Sequence, residues 1–196
     1  MHPMRTMILA LALTIAACTA ISVKNQWRDP AWTGPPAGNV VVVGIARNEA
    51  TRRTFEDTFA SELRKAGVSA ESAYATIQPG ENGKIKLSEF VRQSNADAVL
   101  TTRVQRVQQK VDVSPGYYGY PGYGGFYGWY GGAWAAAPMV SQYEVVTLET
   151  TVWDPRSEKL IWAATTERVA SGDIPKVTTQ LAETLIPRMK SDHILR

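Results

Sequence analysis

The chain has 196 residues, 44% of them hydrophobic, and its 21 basic and 18 acidic side chains leave a formal charge of +3. That length suits one domain with a sizeable core, and so small a charge lacks the clustered basic face that nucleic-acid binding needs, so no nucleic-acid partner is expected. One cysteine, Cys18, and two histidines, His2 and His193, exclude a disulfide framework and a zinc site with the usual ligands, and argue against a histidine-dependent serine triad.

The chain opens with Arg5, an apolar run from Met7 to Ile15, and the small residues Ala16-Ala17 before Cys18, the three regions of a secretory signal. The run is too short to cross a bilayer, which takes about 20 apolar residues. Leu13-Thr14-Ile15-Ala16-Ala17-Cys18 resembles the lipobox of bacterial lipoproteins. That resemblance implies removal of residues 1–17 and lipidation of Cys18, which becomes the new amino terminus. Losing Arg5 leaves a net charge of +2. Two or more acyl chains hold a protein stably on a membrane where one does not. Thr19 stands where aspartate marks retention at the inner membrane in many Gram-negative lipoproteins, which implies the outer membrane, facing the periplasm.

Residues 18–38 read as a lipidated tether, rich in Pro and Gly through Gly34-Pro35-Pro36-Ala37-Gly38 and without a steady apolar period. Trp27 and Trp32 within it suit either the headgroup level or an apolar face of the domain. Val40 to Val43 with Ile45 form a continuous apolar run, as in a strand buried on both faces of a parallel sheet. Phe55, Phe59 and Leu63 then recur every four residues opposite a charged face, which predicts a helix ended by Gly67. Val68 to Tyr74 reads as a strand, Leu87, Phe90 and Val91 as the stripe of a short helix, and Ala98-Val99-Leu100 as the start of a third strand. The apolar parity of that strand changes between Val104 and Val107, which calls for a bulge near Gln105 or Arg106. Val140 to Trp153 alternates, Asp154-Pro155-Arg156-Ser157 is a turn, and Leu160-Ile161-Trp162 begins the return strand of a hairpin whose Trp153 and Trp162 are both expected in the core. Val177, Leu181, Leu185 and Met189 mark a last helix, followed by a tail at 191–196.

Residues 114–139 form a Gly/Tyr-rich segment that supplies the candidate partner-binding residues Tyr117, Tyr118, Tyr120, Tyr123, Phe126, Tyr127, Trp129, Tyr130 and Trp134. Glycine denies this segment regular packing, whereas the aromatics supply stacking faces with polar tips. A plain connecting loop, self-association, docking on a partner, contact with the bilayer and sugar stacking all remain open. Gly122 to Gly128 nearly matches a dinucleotide fingerprint but misplaces its third glycine and opens no helix. Gly44 to Asn48 ends a strand before a helix, where doubly wound sheets bind ligands; Arg47, Arg52 and Arg53 there read as a solvated helix entrance. Asp97, Asp112, Glu144 and Glu149 show no spacing that pairs an acid with a base. No enzyme activity, cofactor or metal is expected.

The expected fold is α/β, a small three-layer sandwich of order β-α-β-α-β-β-β-α over residues 39–190, with its first three strands parallel and an antiparallel carboxyl-terminal hairpin. With its lipobox, Val-rich strand, Arg-Arg-Thr-Phe-Glu-Asp at 52–57, Ala-Asp-Ala-Val-Leu at 96–100, Gly/Tyr segment and Trp-Asp-Pro at 153–155, the chain resembles Gram-negative outer-membrane lipoproteins of unassigned role. In element order it is more distantly similar to TolB amino-terminal-like periplasmic domains. The resemblance implies protein–protein interaction or self-association in envelope assembly or maintenance. The alternative is a periplasmic binding module for a small anionic or sugar ligand.

Overall fold

The computed structural model describes residues 21–77, 83–114 and 139–196. They form a mixed α/β structure with one six-stranded sheet of order β1-β6-β5-β4-β2-β3 and three helices. The strands are β1 (Ser22–Arg28), β2 (Asn39–Ile45), β3 (Ser69–Ser72), β4 (Ala98–Ser114), β5 (Met139–Asp154) and β6 (Lys159–Val169); the helices are α1 (Glu49–Lys65), α2 (Gly83–Gln93) and α3 (Ile174–Ser191). β2 pairs in parallel with β3 and with β4, while β4, β5, β6 and β1 are antiparallel neighbours.

Two expectations about the ends of the domain require correction. Ser22–Arg28, assigned to the tether, is a strand: β1 pairs with β6 from Ser22 opposite Glu167 to Arg28 opposite Trp162. The described residues therefore hold one strand more than expected, and the first three of these strands are not all parallel. As an edge strand, β1 needs no apolar period, and its register shift between Val23 and Asn25 breaks what alternation it has. The second correction is the tail at 191–196. Asp192 closes α3, His193 adopts a left-handed φ of 56°, and the chain turns back so that Ile194 and Leu195 are buried and Leu195 bridges Ala37 in parallel.

The sheet is packed on both faces because β2 is apolar at successive positions. Val40 and Val42 face a large core with Phe59, Leu63, Leu100, Trp162, Leu181 and Leu185, the stripes of α1 and α3. Val41 and Val99 face a smaller cluster with Val91 and Ile77 under α2. The Asn48 side chain caps α1 by accepting from the Thr51 amide at 2.9 Å, and Asp173 caps α3 from Lys176 at 3.0 Å. Gly67, at φ +83°, takes the left-handed position after α1.

Asp192 ties three elements together. Its carboxylate accepts from Gln26 Nε2 at 2.6 Å and from the indole of Trp162 at 2.8 Å, and its carbonyl accepts from Arg28 Nε at 2.9 Å. β1 is thus held by polar contacts at the end of α3, which an apolar pattern does not reveal.

Candidate functional site

β4 is 17 residues long, whereas its parallel neighbour β2 has only seven. β2 stops pairing at Arg103, and β6 reaches along β5 only to Val145. Beyond these points β4 and β5 continue together to Ser114 opposite Met139, as an arm projecting from the sheet. The register shift between Val104 and Arg106 falls at the expected place. It resets the parity so that Val104, Val107, Val111 and Val113 lie on one face, the face that farther down carries Leu100 and the main core. No described helix covers them there: these four valines are 54%, 54%, 58% and 54% exposed. Along the same stretch the outer edge of β4 is paired with no described strand.

At the base of the arm, on the same face, a cavity of about 230 Å³ opens between the sheet and the first turns of α1 and α3. Phe55, Val146, Leu148, Val177 and Leu181 make its wall largely aliphatic. Gly44 belongs to that wall, and a Cβ there would stand only 3.0 Å from the Phe55 ring, so glycine lets the helix approach the strand. The cavity lies at the carboxyl end of β2, beside Gly44 to Asn48, where doubly wound sheets bind ligands.

Of the three arginines expected as a solvated helix entrance, Arg47 and Arg53 are exposed and Arg52 is not. Arg52 is buried: its guanidinium donates to the Ile77 carbonyl at 2.7 Å and lies 3.2 Å from Glu49 and 3.9 Å from Glu56. Glu56 is fully buried and accepts from the amides of Gly44 at 2.9 Å and Tyr74 at 2.6 Å. Burial pushes its pKa above the ordinary value, against the lowering effect of these amides and of Arg52. Arg53 is exposed, pairs with Glu49 and lies over the Tyr74 ring at 5.4 Å. Arg168, in contrast, lines the cavity and is buried, donating to the Val169 carbonyl at 2.9 Å and to Gln180 at 3.4 Å. It forms no ion pair with a described carboxylate. Desolvation lowers its pKa from the ordinary arginine value, an effect that Asp173 opposes.

Cys18 and all nine aromatic candidates, Tyr117, Tyr118, Tyr120, Tyr123, Phe126, Tyr127, Trp129, Tyr130 and Trp134, lie outside the described residues. Of the hairpin tryptophans, Trp162 is fully buried but Trp153 is 37% exposed, a correction to the expectation that both are core. Trp162 pairs with Val152, so strand alternation puts the next residue of β5, Trp153, on the opposite face, beside a more open cleft between α2 and the β5–β6 turn. The exposed arm and the cavity were missed from sequence. Their signal was present in the alternating valines that run well past the length of β2. No described helix is long and apolar enough to cross a membrane.

A family model described as a domain of unknown function, DUF4136, matches residues 43–189. No curated protein sequence matches the chain. Among solved structures it is similar to PelC from Paraburkholderia phytofirmans, a dodecamer, at 19% identity over 90% of this chain and 99% of that one with a TM-score of 0.48. It is also similar to lipoprotein GNA1162 from Neisseria meningitidis, at 12% identity over 79% and 99% of the two chains with a TM-score of 0.42. The family match spans most of the sequence, and the chain belongs to the DUF4136 family.

Proposed function

We propose that this member of the DUF4136 family is a lipoprotein of the outer membrane, anchored through Cys18 on the periplasmic side, that works by self-association through the β4–β5 arm and not by catalysis. The lipobox-like segment supports the anchor. The observation that carries the self-association is the row of four valines, each more than half exposed, on a strand whose outer edge beyond Arg103 is paired with no described strand. Open apolar strand edges are templates for another strand.

The sequence of β4 is self-complementary in one antiparallel register. With Gln109 on a twofold axis, Val107 stands opposite Val111 of the second copy and Arg106 opposite its Asp112, each pairing occurring twice by symmetry. Asp112 forms no ion pair with a described residue, and the hold of Glu167 on Arg106 is long, at 3.9 Å. A partner of different sequence needs no such match between the two halves of one strand.

The test uses Gln109→Cys in the lipidated protein, where Cys18 carries no free thiol under this reading. Directly opposed cysteines in an antiparallel pair meet the spacing a disulfide requires, so mild oxidation of membranes is expected to give a covalent dimer. Glu158→Cys, at the far end of the sheet, is expected to give none. Adding Val107→Asp to the Gln109 variant should remove most of the dimer without lowering the melting temperature, because residue 107 is exposed. Equal cross-linking at 109 and 158, or none at 109, overturns the proposal.

A further inference from the structure

The cavity at the base of the arm has a composition that self-association does not use. Its walls are largely apolar, and three arginines are among the residues that line it: Arg52, Arg103 and Arg168. Arg52 is neutralised by Glu49 and Glu56 and bonded to carbonyls. Arg103 alternates with Thr102 and Val104 onto the opposite face of β4, where its side chain is paired with Glu149. Arg168 alone among them has no carboxylate partner among the described residues, although it is only 7% exposed. Two residues earlier on the same face of β6, the hydroxyl of Thr166 is also buried, with no hydrogen-bond partner among the described residues.

A buried cation without a counter-ion is costly, and an anion that reaches it is correspondingly favoured by a charge-assisted, potentially bidentate contact. The remainder of the wall offers little to a polar ligand. At about 230 Å³ the cavity exceeds the ~150 Å³ of an engineered apolar cavity that takes up benzene and is below the ~300 Å³ where drug-sized pockets begin, which suits a stretch of flexible alkyl chain.

We infer that this cavity binds a single-chain aliphatic monoanion, with its alkyl chain among Phe55, Leu148, Val177 and Leu181 and its anionic head on the guanidinium of Arg168. The ligand is free and exchangeable. The class differs from a sugar or an inorganic anion: the chain supplies the affinity through apolar burial, and Arg168 selects the sign of the head.

The probes are decanoate, decanol and decyltrimethylammonium, all below their micelle-forming concentrations, titrated calorimetrically into the lipidated protein in detergent-free nanodiscs with empty nanodiscs as the blank. Decanoate is expected to saturate one site and to bind at least about tenfold more tightly than decanol, with decyltrimethylammonium weakest. Arg168→Gln keeps a side chain able to bond the Val169 carbonyl and should bring decanoate down to the decanol level while leaving decanol unchanged. Val177→Phe, placing a ring into the cavity from a half-buried position, should weaken both ligands together, so the inference remains testable should one variant fail to fold. Equal binding of the three head groups, or no saturable binding of decanoate, overturns it. Binding by Cys18→Ser protein but not by the lipidated form would assign the cavity to the chain's own anchor and equally overturn the free ligand. Failure of the Gln109 cross-link with decanoate still bound would remove the proposed self-association alone.

Discussion

At the scale of single residues, two tryptophans that look alike in sequence separate the core from its surface. Trp162 is fully buried with its indole bonded to Asp192, whereas Trp153 is 37% exposed and donates to Thr151 on its own strand at 2.9 Å. Truncating Trp162 to alanine should cost about 3–5 kcal/mol, a large part of the ~5–15 kcal/mol that stabilises a domain. Trp153→Ala should cost less than half as much. Comparable losses in urea melts of the two variants would contradict this assignment. Both looked like core positions because each has a buried neighbour, Val152 or Ile161; but Val152 already takes the main-core face, which leaves Trp153 the other face.

Glu56 carries a second prediction at this scale. Burial raises its folded pKa, so the folded state holds its proton to higher pH than the unfolded state does. Its contribution to stability is therefore full below the unfolded glutamate pKa of about 4.3 and is lost as pH rises through the folded value. The unfolding free energy of the parent minus that of Glu56→Gln should fall with rising pH above that point. A difference that is flat or that grows with pH would show that the amides of Gly44 and Tyr74, with Arg52, outweigh desolvation. Asp154 has the opposite sign: burial raises its pKa, but the Ser157 hydroxyl and the amides of Arg156 and Ser157 outweigh it, so its contribution is lost as pH falls.

At the scale of elements, what the sequence revealed follows from how each element is buried. β2 and α1 were legible because one is apolar at every position and the other has a clean four-residue stripe with a cap and a terminating glycine. The bulge in β4 was legible as a parity change among valines. β1 was not, because its place at the sheet edge is secured by Gln26 and Arg28 on Asp192 and by Lys24 on Glu167 at 3.3 Å, interactions that leave no periodic trace. The last turn was misread as a tail for a related reason. Ile194 and Leu195 are two apolar residues with no room for a period, and only the left-handed backbone at His193 returns them to the core. The aromatic segment drew attention by composition, yet the site described here rests on valines that any strand would carry. Their exposure depends on where β2 and β6 end, which is a property of neighbouring elements and not of β4 itself.

At the scale of the whole molecule, β1 fixes how the domain stands on its proposed anchor. Its first residue, Ser22, pairs with Glu167 near the end of β6, so the chain enters the sheet at the end that carries the arm and the cavity mouth. The β5–β6 turn lies at the opposite end. With 18–38 as a free tether, either end of the domain is able to face the membrane. With β1 in the sheet, only residues 18–21 separate the proposed lipid from a fixed strand, and four residues span at most about 14 Å. The arm end should therefore stand nearer the membrane than the turn end. A fluorophore on Val111→Cys in the lipidated protein should transfer energy to acceptors at the bilayer surface more efficiently than one on Glu158→Cys. Inserting about 20 Gly/Ser residues between Ala20 and Ile21 should bring the two efficiencies together, since such a linker behaves as a flexible coil. Higher transfer from position 158 than from position 111 without the insertion would reverse the orientation. Cys18→Ser supplies the baseline, because without the lipid the chain should leave the membrane fraction and transfer from both positions should vanish.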